Sequence, residues 1–283
     1  MYKALLLLFL STMGVYIYYK FRRYYHRPVF TTVPDAHTLI DDIRVPYCVR
    51  HQLGAFSHWN ISYFRENYGD TEIYVLHSEN PQCSVKDAEL LKMPLREYID
   101  TYITGDHPEK QNYYFKSEDA HQFLRTVGLE SSIVDHFKAT LPSHTNFYTS
   151  FWMGPAGSTT TFHYDTDYTN FLCVLEGRKK VYLLSPQASH RMKSIQTEYG
   201  DYWSEFDLSD EERIAEMKKS GELCEIIVGA GDILNIPHHV WHAVINLEHT
   251  VSFTFHYETR ESMCFALFCD GPVTNFVNLF SKV

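Results

Sequence analysis

The sequence predicts a mainly β domain with helices packed around it: a double-sheet jelly roll or small barrel in the C-terminal half. Three observations lead there. After Pro142 come eight short segments rich in β-branched and aromatic residues. Glycine- and proline-bearing turns separate them. Before Pro142, apolar residues recur mostly at helical spacing instead. Short, evenly spaced strands with such turns are the pattern of closed or double-sheet β folds.

A chain of 283 residues has room for one large domain or two small ones. The N-terminus stands apart. Ala4 to Tyr19 is nearly all apolar or aromatic, and Lys20, Arg22, Arg23 and Arg27 follow it. Charge after the apolar run, with no small-x-small site, reads as an uncleaved anchor rather than a cleaved signal. The basic flank then expects a single-pass membrane protein with residues 1–27 as anchor and the main domain on the cytosolic side. The secretory lumen and a soluble cytoplasmic protein are the alternatives. Residues 28–44, with two prolines and mixed polarity, read as a linker, and 45–283 as the globular domain.

Phe56 to Tyr68 reads as a short helical region ending at Gly69, and Thr71 to His77 as a strand. Pro94 to Thr104 is amphipathic at helical spacing, with Pro94 suited to a first position. Ala120 to Gly128 and Ser131 to Ala139 read as two more helices. The eight strands of the core, about 142–258, are Phe147–Met153, Thr159–Tyr164, Asn170–Leu175, Lys180–Leu184, Cys224–Val228, Asp232–Ile236, Ala243–Asn246 and Val251–Tyr257. An insertion, about 187–222, interrupts them. In it Ser209 and Glu212 form a capping box opening a helix that Gly221 ends.

The net charge of −10 argues against a protein that tracks phosphates, so nucleic acid is not the expected partner. An acidic surface suits a basic peptide. Six cysteines without a CxxC pair read as reduced, buried thiols.

The chemistry is carried by His163-Tyr164-Asp165 and a histidine 79 residues downstream, His242, at the end of Ile236-Pro237-His238-His239-Val240-Trp241-His242. On a strand, residues i and i+2 share a face, so His163 and Asp165 point together. Two imidazoles and a carboxylate on one face of an octahedral metal leave three positions open, which suits non-haem Fe(II) and O2. His238, His239 and Asp167 read as neighbours of the ligands, not ligands.

The stretch FWMGPAGSTTTFHYDTDYTNFLCVLEGRKKVYLLSP, with VGAGDILNIPHHVWHAVIN and VSFTFHYE, resembles the JmjC or cupin-like group of Fe(II)/2-oxoglutarate oxygenases. It is most similar to the small hydroxylase branch that includes the hypoxia-inducible-factor asparaginyl hydroxylase. The resemblance implies a double-stranded β-helix, Fe(II) on His163, Asp165 and His242, and 2-oxoglutarate chelating that metal with O2 beside it. It implies Lys179, in Gly177-Arg178-Lys179, as the cation for the far carboxylate, with Lys180 one register away. It implies Thr160 as a hydroxyl partner, Asn170 and Tyr114 on the co-substrate side, and Thr254 on the last strand. Asn170 stands one residue beyond the family spacing.

The expected activity is hydroxylation of a protein side chain, releasing succinate and CO2. N-methyl-lysine demethylation, hydroxylation of a tRNA base and a non-catalytic scaffold are the alternatives. Similar ligand sets elsewhere in the group hold manganese, nickel or zinc, and small relatives dimerise through helices.

Overall fold

The computed structural model describes residues 32–39, 45–80, 88–117, 122–141, 146–165, 169–184, 186–196 and 202–258. Its strands are β1 (Asp35–Ala36), β2 (Tyr47–Val49), β3 (Glu72–His77), β4 (Glu89–Pro94), β5 (Tyr113–Ser117), β6 (Asn146–Gly154), β7 (Thr159–Tyr164), β8 (Thr169–Glu176), β9 (Arg178–Leu184), β10 (Ser194–Gln196), β11 (Tyr202–Ser204), β12 (Leu223–Gly229), β13 (Ile233–Ile236), β14 (Trp241–Asn246) and β15 (Thr250–Glu258). They form two sheets, β1-β2-β13-β8-β15-β6-β5-β3-β4 and β10-β11-β7-β14-β9-β12. This is the jelly-roll core expected, and all eight predicted core strands are present within a residue or two at each end.

Alternation explains the layering. On β15, Val251, Phe253, Phe255 and Tyr257 are buried in one large aromatic core. That core also takes Phe64 from the helix α1 (Ile61–Tyr68) and Phe137 from the later helix Glu130–Thr140. Ser252, Thr254 and His256, the alternate residues, are also buried but must point to the other face. The six-stranded sheet mirrors this. Tyr182, Leu184 and Trp241 pack outward with Ile214 and Met217 of the insertion helix Glu211–Lys219. Val181 and Leu183 turn inward and meet Leu172 and Val174 of the other sheet. One end of the space between the sheets is therefore plugged with apolar side chains, and the other is polar.

Several local expectations change. The amphipathic stretch after Pro94 is a short α-helix, Leu95–Tyr98, running into a π-turn, Ile99–Ile103, with Pro94 capping rather than opening it. The insertion helix is capped by Asp210, whose carboxylate accepts from the Arg213 amide at 3.0 Å. Ser209 instead donates its hydroxyl to Asp207 at 2.7 Å, so the expected capping box does not form. Gly221 does end that helix, at φ +74°. The insertion also contributes β10 and β11, which the sequence did not signal. In the expected linker, Asp35–Ala36 pairs in parallel with β2.

The expectation of a single-pass membrane protein is corrected. Among the described residues no helix is long and apolar enough to cross a membrane. The apolar run 4–19 lies outside the described residues.

Candidate metal centre

β7 and β14 are antiparallel neighbours, and His163 lies directly opposite His242 in their register. Their rings sit 4.1 Å apart, centroid to centroid. Asp165, just past the end of β7, completes the group. One donor atom from each of His163, Asp165 and His242 falls within 4.8 Å of the others.

The backbone prepares both imidazoles in the same way. His163 Nδ1 donates to the Thr161 carbonyl at 2.9 Å, and His242 Nδ1 to the Val240 carbonyl at 2.9 Å. A carbonyl only accepts, so both rings carry the proton on Nδ1 and leave the Nε2 lone pair for a metal. Burial, then the neighbouring His242, pushes His163 down to about 3, against the pull of Asp165. Burial would raise the Asp165 carboxyl, but His242, His163 and His256 and the Asn170 amide hold it below its ordinary value. A neutral His163 imidazole beside an ionised Asp165 carboxylate puts these two groups in their ligating forms. The donor set therefore fits a divalent metal of the Fe(II) type.

The turn before β14 holds the third ligand. His239 sits in the left-handed region, at φ 60°, and its amide donates to the Asp165 carbonyl at 2.8 Å. His238 is fully buried and shares a hydrogen bond with Thr169 at 3.3 Å. Both are neighbours of the site, as expected, and neither joins the triad.

A small cleft opens beside the triad, between the two sheets. Tyr114, Trp152, Asn170 and Thr254 reach it from the nine-stranded sheet, and Thr160, Lys179, His163 and His242 from the six-stranded one. Lys179 is 1% exposed and donates to Tyr114 Oη at 3.0 Å and to Asn246 Oδ1 at 2.8 Å. Burial, with the charge of Lys116, pushes its ammonium down to about 7. Lys180, on the opposite face of β9, lies over the Tyr182 ring in the outer layer. The pleat thus turns Lys179, and not Lys180, toward the cleft.

Thr160 is three residues before His163, a spacing that regular alternation would put on the opposite face. The β7–β14 register shifts between His242 and Val244, so Thr160 pairs with Val244 while His163 pairs with His242. This bulge brings both to the cleft. Asn170 donates to Asp165 Oδ2 at 3.4 Å, and its Oδ1 is buried with no hydrogen bond among the described residues. Thr254 accepts from Trp152 Nε1 at 3.3 Å and bonds His256 Nε2 at 2.7 Å.

The sequence reading missed Asn246, Trp152, Lys116 and Trp203. Trp203 comes from β11, stacks on His163 at 4.5 Å and 14°, and lies in the insertion, where no pattern marked it. Asn246 sits on the predicted strand of His242, and alternation from His242 would have found it; Trp152 sits on another predicted strand and reaches the cleft beside Thr254 through the pairing of β6 with β15.

Residues 46–263 match a family model described as a cupin-like domain. Several curated relatives are similar in sequence, three of them as follows. JmjC domain-containing protein D of Dictyostelium discoideum is 34% identical over 36% of this chain and 23% of its own length. Lysine-specific demethylase JMJ31 of Arabidopsis thaliana is 34% identical over 39% of this chain and 21% of its own. tRNA wybutosine-synthesizing protein 5 of Gallus gallus is 26% identical over 73% and 68%. The chain thus spans under a quarter of the length of the first two. These relatives do not single out the asparaginyl-hydroxylase branch. With its jelly roll, its His-Asp-His group and a match over most of its length, the chain belongs to the cupin-like, JmjC-type oxygenases, a family whose cofactors are Fe(II), 2-oxoglutarate and O2.

Proposed function

We propose that this chain is an Fe(II)- and 2-oxoglutarate-dependent oxygenase that hydroxylates a side chain of a protein substrate. The overall reaction is R–H + 2-oxoglutarate + O2 → R–OH + succinate + CO2. One observation carries the reading: one cleft is lined both by the two histidines of a His-Asp-His group and by a buried lysine. A buried ammonium is costly unless an anion meets it. The far carboxylate of 2-oxoglutarate is such an anion.

In this reading His163, Asp165 and His242 hold the iron. When bound, the metal supplies O2 activation and the oxidising power that a side chain lacks. Lys179 receives the far carboxylate, with Tyr114 and Thr160 as hydroxyl partners. Asn246 orients the ammonium. Asn170 steadies Asp165 and offers its Oδ1 to what enters. Thr254 and Trp152 line the side opposite the triad. The catalytic unit is residues 45–283, with 28–44 leading into it.

The names of relatives that demethylate lysine or act in wybutosine synthesis keep two alternatives on the same iron chemistry. The net charge of −10 counts against a tRNA substrate. No zinc-finger or chromatin-reader pattern lies within these 283 residues, which counts against demethylation. A non-catalytic scaffold has no use for an intact triad facing a buried lysine. The test is anaerobic metal loading followed by succinate release from 2-oxoglutarate. Wild type turns over and His163→Ala neither binds metal nor releases succinate. Equal, background-level release by both would refute the assignment.

A further inference from the structure

β6 ends at Gly154, and Pro155-Ala156-Gly157-Ser158 turns the chain into β7. This turn is fastened to Asn246 of β14. The Gly157 N–H donates to the Asn246 carbonyl at 2.8 Å, and the Asn246 backbone N–H donates to the Ser158 carbonyl at 2.9 Å. Asn246 Nδ2 donates to the Pro155 carbonyl at 3.4 Å, and the Ser158 hydroxyl donates to the same carbonyl at 2.8 Å. At the other corner of the side-chain amide, Asn246 Oδ1 accepts from Lys179. The turn therefore sets the position of one partner of the buried ammonium.

Gly154 acts on both partners at once. A Cβ placed on it would lie 2.7 Å from Tyr114 Cδ2, 2.8 Å from Tyr114 Cε2 and 2.8 Å from Asn246 Nδ2. These are the two side chains that accept from Lys179, Tyr114 at 3.0 Å and Asn246 at 2.8 Å. All four residues are buried, so a clash cannot be relieved into solvent. Three movements could make room. Tyr114 could swing aside, which takes its Oη off the ammonium. Asn246 could turn, which takes its Oδ1 off the ammonium and its Nδ2 off Pro155. Or β6 could retreat, but Gly154 is paired with Thr250 of β15, and the Met153 carbonyl beside it accepts from Tyr98 Oη at 2.8 Å. The first two open the anchor, and the third parts the strands of the aromatic core. A glycine within a strand marks such a close approach. Gly154 is not among the glycines at positive φ, so alanine can take up its backbone and the obstacle is the side chain alone.

We infer that Gly154 is a positioning residue for the co-substrate anchor: its bare Cα is what lets the Tyr114 ring and the Asn246 amide close on Lys179 together. This rests on the oxygenase reading above, in which Lys179 receives the far carboxylate of 2-oxoglutarate. The consequence is selective. The three atoms nearest to a Cβ at 154 all belong to the partners of Lys179, and none to a metal ligand. A side chain there loosens the hold on the anion and spares the metal group.

The test measures two affinities on the full chain: Mn(II) for the protein, and 2-oxoglutarate for the Mn(II)-loaded protein. Gly154→Ala is expected to keep its Mn(II) affinity within about twofold of wild type and to bind 2-oxoglutarate about tenfold more weakly or worse. Gly229→Ala, whose new Cβ meets its neighbours at an ordinary 3.7 and 3.8 Å, keeps both affinities. In a Lys179→Met background Gly154→Ala has no further effect on 2-oxoglutarate, because the ammonium it misplaces is gone, whereas independent sites would add. Should Gly154→Ala not fold, Gly154→Ala/Tyr114→Leu takes its place. Removing the ring returns the room and restores Mn(II) binding, with 2-oxoglutarate held no more tightly than by Tyr114→Leu alone; a double variant that also binds no Mn(II) would overturn the inference. So would an unchanged 2-oxoglutarate affinity in Gly154→Ala, an equal loss of both ligands, equal losses in Gly154→Ala and Gly229→Ala, or a loss as large in the Lys179→Met background. Failure of the oxygenase reading looks different: wild type then binds no 2-oxoglutarate, or Lys179→Met binds it as well as wild type does, whatever stands at position 154.

Discussion

Replacing Lys179 by Met should make the empty protein more stable and the loaded protein weaker. Lys179 is buried, and its ammonium is pushed from an ordinary 10.5 down to about 7. The unfolded chain then binds more protons than the folded one between those values, so this lysine makes stability rise with pH from about 7 to about 10.5. Below pH 7 the full cost of burying the charge is present, about 5 kcal/mol at 1.4 kcal/mol per unit. By pH 9 it has fallen to about 2 kcal/mol. Met removes this cost but leaves Asn246 Oδ1 and Tyr114 Oη without their donor, a loss of about 1–3 kcal/mol.

The variant should therefore gain about 2–4 kcal/mol at pH 6 and about nothing at pH 9. Urea unfolding at the two pH values reads this directly. Titration of 2-oxoglutarate into the Mn(II)-loaded variant should show affinity down by about 2–5 kcal/mol, thirtyfold or more. A variant that is destabilised at pH 6, or that keeps its 2-oxoglutarate affinity, would refute the placement of a co-substrate carboxylate on this lysine.

Three further outcomes follow from the same geometry. At pH 8 the ammonium of Lys179 is largely deprotonated in the empty cleft, so 2-oxoglutarate should bind with uptake of about one proton, falling to about none at pH 6; calorimetry in buffers of different ionisation enthalpy measures it. Trp203→Leu removes the ring stacked on His163 and should weaken Mn(II) binding by about two- to tenfold, the worth of one aromatic pair, while Phe restores part of it; equal affinities in Leu and wild type would show that the stack does not steady the ligand. Gly177→Ala puts a Cβ against the His249 carbonyl at a φ of +77°, so it should lower the unfolding free energy, read by urea titration, by at least about 1–2 kcal/mol and disturb the hairpin that carries Lys179.

The sequence by itself determined the two-sheet core, because strand periodicity and turn residues are local properties and the eight segments carried both. It also marked the metal group: i and i+2 on one strand share a face whatever the partner strands do, so His163 and Asp165 were co-facial before any tertiary contact was known. Local rules ran out where pairing decides. Lys179 and Lys180 are equal in sequence, and only the register of β9 between β12 and β14 turns one inward and the other over Tyr182. Thr160 faces the cleft because of a bulge, which one strand alone cannot reveal. Trp203 and Lys116 reach the site from an insertion and from a strand outside the predicted core. Their placement depends on contacts across more than 35 residues of chain, Trp203 with His163 and Lys116 with Trp152. Two of the three donors, His163 and Asp165, were thus fixed by short-range alternation, and His242 joins them through the β7–β14 register. What surrounds them, and so what the site can accept, was decided by long-range pairing of the sheets.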